Sequence, residues 1–249
     1  MPRQLVRILL LVCCAFALHT AQAAVVVLYT YHIKPPYIVD ADKEVGLYYD
    51  LASWLNKRTR KHHFKVEPMP RKRLDAELEA EKLDGLVIGV NPVWFKDKAR
   101  TRYLWTQAFM SDIDLVVSRR EKPIPYSGPE SLTNLRIGLP AGYYYFGVDE
   151  LVKAGKVIRD DAANEGANLQ KLASGRVDAI IVSRPTLDYF IRQQPAWQTR
   201  FSIADIPHDA FDRHILIPKT LGHLLPELNA ALANLGRDPE WKAAQDSYR

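Results

Sequence analysis

The sequence predicts an α/β protein made of two similar lobes, each on its own parallel sheet, joined by a hinge of two strands. Three observations carry this. Short β-branched runs alternate with stretches of helical period. The strand–helix–strand order occurs twice, and Lys82-Leu83-Asp84-Gly85-Leu86-Val87-Ile88 in the first round is echoed by Arg176-Val177-Asp178-Ala179-Ile180-Ile181-Val182 in the second. After Ile203 the chain turns back towards the first unit, so it crosses between the units twice.

In the first unit, residues 25–29 form a short buried strand. Lys34-Pro35-Pro36-Tyr37 is expected to be extended, because proline restricts both itself and its predecessor. Leu47, Leu51, Trp54 and Leu55 share one helical face. Phe64 and Val66 alternate as a strand, Leu74 and Leu78 mark a second helix, and residues 86–90 are a buried strand behind Asp84-Gly85. In the second unit, strands are predicted over 135–139, 156–158 and 177–182. Helices are predicted over 148–153, 168–173 and 185–192. Residues 110–119 lead from one unit to the other, and the 121–129 loop, with three prolines and one glycine, reads as ordered surface. A strand at 214–217 and a helix at 224–235 complete the return.

The chain has 249 residues, a net charge of +5 and two cysteines. Its start reads as an export signal: Arg3 and Arg7, an apolar core from Ile8, and Ala21-Gln22-Ala23 as a small-x-small cleavage site. Cleavage after Ala23 removes Cys13 and Cys14, which excludes disulfides and thiol chemistry from the mature chain. It also removes two positive charges, leaving too mild a basic balance to point to nucleic acid. The expected organisation is a signal peptide over 1–23, lobe 1 over 24–113 and 208–249, and lobe 2 over 114–207.

The motifs and their order resemble the family 3 extracellular solute-binding proteins, which include the polar amino-acid receptors of ABC importers. The landmarks are Pro35-Pro36-Tyr37, Gly46 with Asp50-Leu51, Leu83-Asp84-Gly85, then Trp105-Thr106 and Phe109 at the place of the family's Phe-Ser-x-Pro-Tyr-like segment. Leu132, Leu135, Ile137-Gly138 and Gly142 follow, and Gly175-Arg176-Val177-Asp178-Ala179 is the most characteristic piece. The resemblance implies a type II periplasmic-binding-protein fold, two Rossmann-like lobes that close on a ligand like a flytrap. It also implies an arginine shortly before the Phe-Ser-like segment, for which Arg100, Arg102 or neither serves. Where the family commonly has an aspartate for the ligand's ammonium, this chain has Ser183, which weighs against an ordinary α-amino acid.

The candidate ligand-binding residues follow from that cleft. Tyr31 and Tyr37 flank the loop after the first strand and offer flat faces with hydroxyls, or pack on the first helix. Arg73, in Pro70-Arg71-Lys72-Arg73-Leu74, is a candidate anion clamp or a solvated helix start. Asn91 and Trp94 follow the third strand. Gly142, Tyr143 and Tyr144 are expected to open a helix in lobe 2 and to make an aromatic wall. Ser183, beside Arg184, ends the next strand with a hydroxyl that can donate or accept.

No catalytic motif stands out. The chain has no Gly-x-Ser-x-Gly elbow, phosphate loop or His-Glu-x-x-His, and His62-His63 is poorly spaced for one metal ion. Neither a metal nor a cofactor is expected. Asp40, Asp42 and Glu44, and the basic clusters at 57–61 and 96–102, read as solvated. The expected function is that of a monomeric periplasmic protein that captures a small polar solute, amino-acid-like or a carboxylate, for an ABC permease or a membrane sensor. The alternatives are an enzyme on the same scaffold, since cyclohexadienyl dehydratase resembles this family, or a sensor module that works through protein contacts alone.

Overall fold

The computed structural model describes residues 23–59 and 61–248. The expected export signal lies outside them, apart from Ala23. Lobe 1 begins with β1 (Ala24–Thr30), α1 (Leu47–Asn56), β2 (His62–Pro68), α2 (Arg71–Glu79), β3 (Leu86–Val90) and β4 (Leu104–Trp105). The chain crosses on β5 (Met110–Arg119). Lobe 2 then contains β6 (Arg136–Pro140), α3 (Val148–Lys153), β7 (Ile158–Ala162), α4 (Glu165–Ala173), β8 (Ala179–Ser183), α5 (Arg184–Gln193), α6 (Trp197–Arg200) and β9 (Phe201–Ile203). It returns on β10 (Asp209–Ile217) and ends with α7 (Leu225–Leu232) and α8 (Pro239–Ser247).

The strands run in the order β2-β1-β3-β10-β5-β8-β6-β7, with β4 pairing β10 and β9 pairing β5. Each lobe contributes a parallel trio. In lobe 1, β1 pairs in parallel with β2 and β3. In lobe 2, β6 pairs in parallel with β7 and β8. The central pair β5 and β10 is antiparallel through Asp209↔Asp114 to Arg213↔Met110, and it joins the two trios. Beyond Arg213, β10 shifts register at His214/Ile215 and pairs with β3 and β4 instead. The expected two-strand hinge is this pair.

All five residues of β3 and all five of β8 are buried, as expected for parallel strands covered by helices on both faces. On one side of the lobe 1 sheet, Leu28, Leu51, Leu55, Ile88, Ile215 and Trp241 form a core that takes in the C-terminal helices. On the other side, Leu74, Val87, Val90 and Leu216 pack beneath α2. Lobe 2 repeats the plan, with Leu132, Ile137, Leu139 and Ile181 on one side and Leu169, Leu172, Ile180 and Val182 on the other. No helix among the described residues is long and apolar enough to cross a membrane.

Three local expectations are corrected. The Lys34–Tyr37 segment is a turn, closed by the Ile38 N–H donating to the Lys34 carbonyl at 3.0 Å, and its Pro35–Pro36 peptide is cis. The carbonyls of Pro36 and Tyr37 are taken up by the first amides of α1, which bends the segment back over that helix. No helix opens at Gly142: α3 starts only at Val148, after Gly147 at φ +77°. The second lobe 2 strand lies later than 156–158, because Lys156 still closes the end of α3 by donating to the Leu151 carbonyl.

Gly89, at φ +80°, is the residue on which Tyr48 rests. A Cβ there would lie 1.8 Å from the Tyr48 hydroxyl oxygen, in a backbone region that side chains disfavour. Gly89→Ala is therefore expected to cost about 2–4 kcal/mol in urea unfolding. Gly236→Ala, where nothing lies within 4 Å, is the control and should change stability by less than about 0.5 kcal/mol.

Candidate ligand-binding cleft

The floor of the cleft is built from two charges inside the hinge. Arg213 of β10 is 1% exposed and grips the equally buried Asp112 of β5 through Nε at 2.9 Å and Nη2 at 2.6 Å. Its remaining donors reach the Gly89 carbonyl (2.7 Å), the Tyr37 hydroxyl (3.1 Å) and the Tyr48 hydroxyl (3.5 Å). All five N–H bonds are thereby used. The guanidinium also lies over the Tyr37 ring, 4.4 Å from its centroid. The Tyr37 hydroxyl in turn donates to Asp112. Arg213 thus ties the hinge to lobe 1 and has no donor left over for a solute.

Above this floor runs the 31–37 loop of lobe 1. The Leu47 N–H donates to the Pro36 carbonyl at 2.8 Å and the Tyr48 N–H to the Tyr37 carbonyl at 3.1 Å, so the start of α1 holds the loop. Gly46 is required here, because at φ +144° its Cβ would fall 2.5 Å from the Tyr37 carbonyl oxygen. Held this way, the loop points Lys34 across the cleft. The Lys34 Nζ lies 2.5 Å from Glu165 Oε1 of lobe 2, and the two side chains are 6% and 3% exposed. The ammonium also lies 5.9 Å and 5.7 Å from the ring centroids of Tyr37 and Tyr143. Glu165 is the first residue of α4, whose start is capped by the Asn164 side chain, and a helix N-terminus favours a carboxylate.

The same loop makes two more bonds to lobe 2. The Tyr143 hydroxyl donates to the Tyr31 carbonyl at 3.3 Å, and Thr186 Oγ1 donates to the Pro35 carbonyl at 2.8 Å. The Tyr143 ring stands nearly perpendicular to Tyr31 and His32, with centroids 6.1 Å away in each case.

Two further titratable groups lie here. His32 is buried among Tyr31, Tyr37, Trp94 and Tyr143, and its Nδ1 is unpaired. Burial, reinforced by Arg213, Lys34 and Arg71, pushes its proton affinity well down, so the ring is neutral. Asp114 of β5 is half-buried beside Lys34. Burial raises its carboxyl from the ordinary 3.8 to about 7, with Lys34 and Arg213 opposing and Asp112 and Asp209 adding to the rise.

The structure gathers four of the expected residues around this cleft: Tyr31, Tyr37, Trp94 and Tyr143. Trp94 is half-buried, edge-on to His32 at 5.7 Å and to Phe211 at 4.7 Å. Asn91 is occupied structurally: its side chain accepts from the Val93 N–H and donates to the Asp212 carbonyl. Ser183 is buried at the foot of α5, where its hydroxyl donates to Thr186. Gly142 sits in an open turn. Tyr144 points outward, 60% exposed, with its hydroxyl on Glu150.

Arg73 also points outward. It is 69% exposed, with Glu77 at 4.0 Å, because its position on α2 lies on the solvent side. Arg71, two residues earlier, is the one turned inward. It donates to the Tyr31 hydroxyl at 3.2 Å and to the Trp94 carbonyl at 2.8 Å, and stacks on Tyr31 and Phe95. Neither Arg100 nor Arg102 enters the cleft. Their loop is organised instead around buried Asp97, which accepts from the amides of Thr101, Arg102 and Tyr103 and from the Trp105 indole.

Sequence reasoning missed Lys34, His32, Arg71, Asp112, Asp114 and Arg213. For the two aspartates and Arg213 a signal existed. Each lies close to an apolar run of its strand, residues 115–117 in β5 and 215–217 in β10, where a buried charge needs a partner. For Lys34 there was none, since a lysine before two prolines reads only as part of an extended segment.

The two facing lobes have the fold of type II periplasmic-binding proteins, as the sequence resemblance implied. The chain superposes on an ancestral arginine-binding protein bound to arginine with a TM-score of 0.69, at 19% identity, over 90% of this chain and 98% of that one. It superposes on the GluR0 ligand-binding core in complex with L-glutamate with a TM-score of 0.70, at 16% identity, over 92% and 99%. A third similar structure is an ancestral amino-acid-binding protein described as a precursor of cyclohexadienyl dehydratase (TM-score 0.67, 16% identity, 90% and 95% covered). No family model matches the chain, and no curated protein matches it in sequence.

Asp114 generates a pH prediction. Unfolded, it ionises near 3.8; folded, it holds its proton up to about 7. The native state binds the extra proton in that interval, so its stability falls as pH rises from about 4 to 7. Asp114→Asn escapes this penalty. Its advantage over the wild type in urea unfolding should be small at pH 4 and grow to on the order of 2–4 kcal/mol by pH 7.5. An advantage that does not change with pH would show that Asp114 ionises normally.

Proposed function

We propose that this protein is an exported receptor that captures a small solute bearing both a positive and a negative charge between its two lobes. The observation that carries the reading is the buried ion pair between Lys34 of lobe 1 and Glu165 of lobe 2. When the lobes part, these two charges separate, and any solute they close on again must satisfy both. A pure cation would leave Lys34 unpaired and a pure anion would leave Glu165 unpaired, each a costly burial. A zwitterion inserted between them pairs both.

The cleft supports this with flat faces from Tyr31, Tyr37, Trp94 and Tyr143, with the unpaired Nδ1 of His32, and with the carboxyl of Asp114. These residues, with Lys34 and Glu165, are the ones we assign to the solute; Arg73 and Tyr144 are not. The similar structures described with arginine and with glutamate fit an amino-acid-like solute. The product of capture is a closed shape that a membrane partner, an ABC permease or a sensor, can read.

A second reading rests on Asp114. A carboxylic acid in a cleft that holds its proton up to about 7 is suited to general acid–base work, and the likeness to a dehydratase precursor is consistent with that.

The test is thermal unfolding of the refolded chain, starting from Ala24, against amino acids, carboxylates, polyamines and aromatic acids. A zwitterionic solute at 100 times its Kd is expected to add about 2.7 kcal/mol of stability, and Glu165→Gln to abolish the gain. Mass spectrometry of the incubated solute separates the two readings, since a receptor returns it unchanged. Stabilisation only by simple anions or simple cations would refute the two-charge site.

A further inference from the structure

The Lys34 ammonium lies where a solute's ammonium would lie. It meets Glu165 at 2.5 Å, on the side towards lobe 2, and is flanked by the rings of Tyr37 and Tyr143. A carboxylate with aromatic faces about it is a recognition site for an organic ammonium ion. Here the cation is delivered by the chain itself, from a loop held rigid by α1, and it crosses from one lobe to the other. We propose that Glu165, Tyr143 and Tyr37 form an ammonium site that Lys34 fills from within, so that the lobes rest closed on the protein's own side chain and a solute binds by displacing it. This rests on the reading of the cleft as a solute site.

The surrounding geometry fits a latch better than a structural ion pair. A lysine and a glutamate joined inside one lobe would be dry in every state of the protein. This pair is buried only while the lobes touch, and opening returns both charges to water, which lowers the cost of breaking it. The bonds that accompany it, Tyr143 to the Tyr31 carbonyl and Thr186 to the Pro35 carbonyl, come from the same 31–37 loop. One loop therefore carries these three cross-lobe contacts and moves as a unit with lobe 1, while Arg192 of α5 makes a separate one outside the cleft, donating to the Ser247 carbonyl of α8 at 2.6 Å. The hinge pair Arg213–Asp112 is separate from the latch and stays intact when the lobes part, since both residues lie where β5 and β10 are zipped together.

The inference predicts a resting state that one side chain decides. Small-angle X-ray scattering on the solute-stripped wild type is expected to give the compact radius of gyration of the closed lobes. Lys34→Ala should give a larger one. Adding n-propylammonium, which carries the atoms that substitution removes, should bring the larger radius back towards the wild-type value in a saturable way. An equal concentration of tetramethylammonium at the same ionic strength should not. Glu165→Gln, close to isosteric and retaining the helix start, should open the lobes as Lys34→Ala does but show no response to propylammonium. It keeps the test informative should Lys34→Ala fold poorly.

Equal radii for the wild type and both variants would overturn the latch. So would an opened Lys34→Ala that ignores propylammonium, because the lysine would then act through packing alone. These readouts need no natural solute, so the latch can fail while the solute reading stands. A panel without a binder, beside a propylammonium response, would leave the latch standing and remove the solute.

Discussion

Arg213 and Asp112 are the interaction on which the rest is arranged. They are opposite charges with almost no solvent access, carried by the two strands that join the lobes. A buried pair of this kind adds little net stability, since desolvation offsets most of the attraction. Its effect is to fix geometry. A planar guanidinium with every N–H committed admits one arrangement of its neighbours. Those neighbours are the turn at Gly89, the hydroxyls of Tyr37 and Tyr48, and the start of β5. An apolar pair would fill the same space but would let β10 slide against β5, and a slip of one residue would turn the strand's side chains over.

From that anchor the constraint passes outward through Tyr37. Its ring lies under Arg213, its hydroxyl reaches Asp112, and its carbonyl receives an amide from α1. The three residues before it carry Lys34 towards Glu165. The position of the cleft's cation is therefore set by contiguous contacts running from the hinge, through a buried aromatic ring, to the mouth of lobe 2. The contacts within lobe 1 and the hinge are all buried, whereas the one to lobe 2 alone depends on closure. The contacts that do not depend on closure end at the boundary between the lobes.

The fold was largely legible in the sequence because it is written in local periodicity. Runs such as Leu86–Val90 and Ala179–Ser183 are buried on both faces and so apolar throughout, and the period-3.6 pattern of α1 is plain. Boundaries slipped where a long-range bond decides the conformation, as at Lys34–Tyr37, which bends because α1 draws in its carbonyls. The site was legible only in its aromatic part. Tyr31, Tyr37, Trp94 and Tyr143 follow from their places at strand ends, which ordinary α/β topology puts in the cleft. Its charged part was not, because the partners are far apart in sequence: Lys34 and Glu165 are separated by 131 positions, Asp112 and Arg213 by 101. That Arg71 turns inward and Arg73 outward was hidden for a different reason. Two residues apart on a helix is about half a turn, so one of the pair faces inward and the other outward, and nothing local says which.

The charges also give the cleft a direction. Lobe 1 and its return strand bring the cations Lys34, Arg71 and Arg213, while lobe 2 and β5 bring Glu165, Asp112 and Asp114. Arg213 and Asp112 cancel one another, and Arg71 is engaged by Asp75 at 2.8 Å. What remains facing the space between the lobes is a cation on the lobe 1 side and two carboxyls on the lobe 2 side. Opposed surfaces of this kind attract across the cleft as the lobes approach, which favours closure before any contact is made. They also discriminate between the two ways a two-charge solute can enter. With its anionic end towards Lys34 and its cationic end towards Glu165, each group meets its complement, while the reverse orientation sets like charges together in a place where water cannot screen them. Asp114 sharpens the distinction, because a cation beside it favours its ionised form and an anion favours the protonated one. The polarity that holds Lys34 in place is therefore the same polarity that would orient whatever displaces it.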